Sequence, residues 1–235
     1  MKVKVITFVM ASLFSISALA TDSGGNSVYI DQTNADNSTV SITQTGSNNT
    51  IGDPNSLMAP SFVIDGNSMA LTIDQNGMNN SITGNFIGGS STATISQDGN
   101  SNATNLNMGN MGTSTGVLGL SITGDNNITG LNIGVTHDAG NYNYSATIVG
   151  GSNTLTSNIN SKNTTNAFNV TGSSNTITTT QIGANGTTQT GGHNITTNVI
   201  GLSNSMTILQ DGITNPNSVT LNVTGSNTTT AIIQH

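Results

Sequence analysis

The groups that could do acid–base or metal chemistry in this chain are ten aspartates and three histidines; glutamate, arginine and cysteine are absent. Cleavage of an acidic polysaccharide, one chemistry that secreted β-folds perform, needs clustered carboxylates and a basic residue to stabilise the developing charge. Here the aspartates are scattered, and beyond residue 20 the only basic side chain is Lys162. His137 and His193 fall in turn regions far apart in sequence, and the calcium-binding nonapeptide G-G-x-G-x-D is missing. Without cysteine there is no disulfide framework, thiol nucleophile or Cys metal site. A formal net charge of −7 gives no basic footprint for nucleic acid. The reading is therefore of a chain that is not an enzyme, takes no cofactor or metal, and binds no nucleic acid.

What does recur at fixed spacing is the carboxamide. The stretch from Leu71 to Phe86, LTIDQNGMNNSITGNF, has Gln75 two before Gly77 and Asn80 three after it. The kernel Q-x-[G/N]-x-x-N occurs at Gln32/Asn34/Asn37, Gln44/Gly46/Asn49, Gln75/Gly77/Asn80, Gln97/Gly99/Asn102, Gln189/Gly191/Asn194 and Gln210/Gly212/Asn215. Three further copies replace Gln with an aliphatic residue: Ile122/Gly124/Asn127, Ile148/Gly150/Asn153 and Val170/Gly172/Asn175. Amides at a constant phase can satisfy one another if copies stack in register, each side chain bonding the next along the axis. Gln181, nine after Gly172, joins this set of candidate ladder residues. The Asn after each turn glycine is expected to adopt left-handed backbone geometry and to bond back to its turn.

The elements that would position these amides are short strands. Ile30, Ile42, Ile73, Ile95, Leu120, Ala146, Phe168, Thr187 and Ile208 all lie four before the turn residue. Period-two alternation broken by Gly and Asn reads as strand, tight turn, strand. A low-charge chain rich in Asn, Ser, Thr and Gly would otherwise suggest disorder, but a disordered chain has no reason to hold Ile at one phase. Because one strand-turn-strand unit cannot bury its own apolar face, the expected fold is an all-β solenoid of about nine stacked coils with parallel in-register ladders, rising roughly 4.8 Å per coil.

In chain order, residues 1–20 carry Lys2 and Lys4, an apolar run and Ala18-Leu19-Ala20, the signature of a secretory signal cleaved after Ala20. Residues 21–27 read as a flexible leader and 28–235 as the solenoid, with irregular insertions near 53–61, 109–116 and 135–143. Pro54 and Pro60 push the first insertion out of the ladder. No later stretch is long enough to span a membrane. The leader is short and Ala231-Ile232-Ile233 still reads as strand, so both ends of the stack are expected to be uncapped and open to another copy.

The complete kernels at Gln44, Gln75, Gln97, Gln189 and Gln210 resemble the curlin repeat family, subunits of curli-type functional amyloid fibres. That family places a second Gln eleven after the first; in this reading only Gln181 holds that position, and other copies carry Phe, Met, Ile or Leu. The resemblance implies a secreted subunit of an extracellular fibre for biofilm matrix, surface adhesion or aggregation. It also implies export through an outer-membrane pore and the possible help of a nucleating subunit. Two other readings stay open. A monomeric adhesin or spike component would present the insertions, with Tyr142 and Tyr144, as its contact surface. An ice-binding protein would present an outward threonine column, Thr83, Thr156, Thr178 and Thr197, interrupted by Asn105, Gly130 and Ser218.

Overall fold

The computed structural model describes residues 15–21, 24–33, 35–52, 62–84, 86–87, 91–106, 116–133, 142–160, 165–182, 193–211 and 217–235. Among these there is no helix, and every strand pair is parallel, so the chain is an all-β solenoid. Two long sheets face each other. Sheet A has ten strands, from Ser15–Thr21 and Thr39–Ser47 at one end to Asn194–Ile200 and Ser218–Thr224 at the other. Sheet B has nine, from Ser27–Val28 to Ser205–Asp211 and Thr229–Gln234. A third, sheet C, joins only Ile30–Thr33, Phe62–Asp65 and Phe86–Ile87.

Alternation sets which side chains line the interior. In Ala70–Met78, Leu71, Ile73 and Gln75 are buried while Ala70, Thr72 and Asp74 are exposed. Register then stacks like on like: Ile42 lies opposite Ile73, and Ile73 opposite Ile95. Each rung covers the apolar residues of the one before, which a single coil cannot do for itself. The insertions at 53–61, 109–116 and 135–143 lie outside the described residues, apart from Gly116, Tyr142 and Asn143.

Tyr144, read as part of a contact surface, is instead a core residue. It is buried in sheet A with its ring 5.5 Å from that of Phe168. Burial holds the phenol proton well above its ordinary range, and the hydroxyl has no hydrogen-bond partner. Removing an unpaired buried hydroxyl should help, so Tyr144→Phe is expected to raise stability by about 1 kcal/mol in urea denaturation.

Candidate functional site

The functional candidate is the set of amide ladders and the rungs at the two ends of the stack. At one corner of every coil a residue of sheet A leads through a glycine into sheet B. The glycines Gly46, Gly77, Gly99, Gly124, Gly150 and Gly172 all have positive φ, as the turn reading requires, and the series continues through Gly201 and Gly225. The left-handed residue that accompanies them is not the ladder Asn but the one before it: Asn48, Asn79, Ser101, Asn126, Ser152, Ser174, Ser203 and Asn227. That residue turns the chain so that the following Asn points inward.

The inward Asn forms a continuous ladder. The backbone N–H of Asn80 donates to Asn49 Oδ1, that of Asn102 to Asn80, Asn127 to Asn102, Asn153 to Asn127, Asn175 to Asn153 and Asn204 to Asn175. Separations in sequence are 31, 22, 25, 26, 22 and 29 residues, yet the N···O distances are all 3.0 Å. Each side chain also reaches forward, its Nδ2 donating to the corner glycine carbonyl of the next coil, as Asn153 does to Gly172 at 2.8 Å. So each buried amide satisfies two backbone groups of the coil above it. The ladder begins at Asn26, within the expected flexible leader, and ends at Thr228, whose N–H donates to Asn204 Oδ1.

The glutamines form two ladders. In sheet A, Gln44 Nε2 donates to Gln75 Oε1 and Gln75 Nε2 to Gln97 Oε1, each at 2.8 Å. In sheet B, Gln181 donates to Gln210 at 2.9 Å and Gln210 to Gln234 at 3.0 Å. The Oε1 of the first member of each, Gln44 and Gln181, is buried without a partner. Gln75→Leu should cost about 1–3 kcal/mol by leaving Gln97 Oε1 without its donor and Gln44 Nε2 with only the Ser27 carbonyl, at 3.3 Å, whereas replacing Gln44, Gln75 and Gln97 all by Leu should cost less than three times that, because no amide is left unpaired along the row. Urea midpoints of the two variants check this.

Six of the nine kernel copies, those at Gln44, Gln75, Gln97, Ile122, Ile148 and Val170, share one row of sheet A. The other three do not. Gln32 lies in sheet C opposite Ile64, and Asn37 is an exposed, left-handed corner residue outside the Asn ladder. Gln189, Gly191, Gly212 and Asn215 fall outside the described residues. Asn194 starts a sheet A strand at a half-buried position, and Gln210 belongs to sheet B. The row of Val170 continues instead through Val199 and Val223. In that frame Gln181, Gln210 and Gln234 each lie eleven after the row residue, so the second Gln position is held three times rather than once.

The same shift corrects the threonine column. Thr197 is buried in sheet A, and the residue in register with Thr156 and Thr178 is Thr207. His193 is also buried, its Nδ1 accepting the Asn217 N–H at 3.1 Å. Among the described residues no group of three or more His, Cys, Asp or Glu is placed to hold a metal ion. No protein-family model matches the chain, and no curated protein matches it either.

Proposed function

We propose that the chain is a secreted structural subunit that adds end to end into an extracellular filament of the curli type, serving in a biofilm matrix, in adhesion or in aggregation. The observation that carries this reading is the character of the outermost coil. Ser218–Thr224 and Thr229–Gln234 keep the interior register, yet the interior-phase residues Leu221 and Ile232 are only half-buried. A full-length parallel rung with apolar and amide residues in interior phase is a template for another strand. The amide ladders support the same reading, since they lengthen along the stack axis without new chemistry. The repeated second Gln strengthens the likeness to curlin repeats, and with it the proposed outer-membrane pore and nucleating subunit. No catalytic role, cofactor or nucleic-acid partner enters this proposal.

The chain beginning at Thr21 should form unbranched filaments in electron micrographs, with a meridional reflection near ~4.8 Å in fibre diffraction. A chain that sediments as a monomer at every attainable concentration would overturn the proposal.

A further inference from the structure

The reading of end-to-end assembly leaves open what keeps the precursor from assembling early, and sheet A offers a device. Ser15–Thr21 lies parallel to Thr39–Thr45 across seven register positions, at the edge of the sheet opposite the C-terminal rung. Following register through the sheet puts Ser15–Thr21 and Ser218–Thr224 in the same seven rows. Row by row the pairs are Ser15 with Ser218, Ile16 with Val219, Ser17 with Thr220, Ala18 with Leu221, Leu19 with Asn222, Ala20 with Val223, and Thr21 with Thr224. Hydroxyl answers hydroxyl and aliphatic answers aliphatic in every row but that of Leu19. Neither segment carries a charge, so nothing repels.

We infer that Ser15–Thr21 is an internal stand-in for the last sheet A rung of a second copy, occupying the edge of Thr39–Ser47 until it is removed. This rests on the filament reading above. The expected cut after Ala20 takes away six of the seven paired residues. It uncovers the backbone edge of Thr39–Thr45, the strand that carries the buried Val40, Ile42 and Gln44. The incoming Ser218–Thr224 has the same direction and would place Val219, Leu221 and Val223 in those rows. A translation of this kind is heterologous and does not close, so it propagates. The second incoming strand, Thr229–Gln234, meets sheet B where the Ser27–Val28 rung lies, and takes over the Asn49 and Ile51 carbonyls that now accept the Ser27 and Tyr29 N–H groups. Thr228 then takes the place of Asn26, whose Oδ1 now accepts the Asn49 N–H at 2.9 Å.

The test compares the chain from Met1, its Ala18→Pro variant and the chain from Thr21, by amide exchange in the monomer at Val40, Ile42 and Gln44, which alternate with amides such as that of Thr39 that face Ala70–Met78, and by filament growth from seeds. The expected result is protection of these amides in the chain from Met1, lost in the other two, and growth at least about tenfold faster once the edge is open. A synthetic peptide SISALAT should slow growth of the chain from Thr21. Equal exchange in all three chains, or growth indifferent to both the leader and the peptide, overturns the inference while leaving filaments intact. Lost protection without filaments overturns the assembly reading, and the inference with it, but shows that the leader covers the edge.

Discussion

Gly172→Ala is expected to cost more than 4 kcal/mol and to unravel the coils that follow it, whereas Gly225→Ala costs about 1–3 kcal/mol and leaves them folded. Both glycines have φ values an L side chain rarely adopts, +113° and +145°. They differ in what lies above. A Cβ on Gly172 would fall on the carbonyl oxygen of Gly201 and within 2.8 Å of its carbon. That carbonyl cannot retreat: it accepts Asn175 Nδ2 at 2.9 Å, and the Gly201 N–H donates to Thr171 at 3.0 Å. A Cβ on Gly225 meets nothing nearer than Thr228 Oγ1 at 3.9 Å. Thermal melts of the pair separate crowding between rungs from backbone conformation alone. Equal losses would mean that conformation decides and that rung spacing is softer than the hydrogen bonds imply.

The second large effect belongs to the Asn ladder. Asn153→Ala should destabilise the chain by about 2–6 kcal/mol, the cost of leaving two buried backbone groups unpaired. Those groups are the Gly172 carbonyl and the Asn175 N–H, which Asn153 now serves at 2.8 and 3.0 Å. Asn158→Ala, at an exposed position of the next strand, is the control and should fall within about 0.5 kcal/mol of the parent. Asn153→Asp keeps an acceptor for Asn175 but sets a carboxylate against the Gly172 carbonyl in a dry site. Its pKa must rise in the folded state, so that variant is most stable at acid pH and loses stability as pH rises. Urea midpoints at two pH values read this directly.

Much of the interior was legible because it obeys two simple periods, alternation along a strand and recurrence of the corner. Ile42, Ile73 and Ile95, with the glutamines two residues further on, could be placed without coordinates. The frame slipped after Gly172 because the next coil is 29 residues long, enough to contain a decoy, Gln189-x-Gly191-x-x-Asn194. The corner itself distinguishes the two. Every corner from Gly46 to Gly201 reads Gly-x-[Asn/Ser]-Asn, since the third residue must be left-handed and the fourth must present an amide. The decoys have His193 and Thr214 at the third position, and Thr is poorly suited to positive φ. Gln says little by comparison, because aliphatic residues fill the same row from Ile122 onward. The role of Ser15–Thr21 was not legible at all: an apolar run ending in small residues looks the same whether it is only discarded or first lies against a sheet.

The corners also show how the molecule counts. Asparagines separated by anything from 22 to 31 residues meet their neighbours with one geometry, so the length of chain between them is not what the structure measures. A gene for such a molecule could gain or lose a segment bounded by two corners, of whatever size, and the product would close up around the join. Storeys can thus be added or removed over evolutionary time without redesigning the interior.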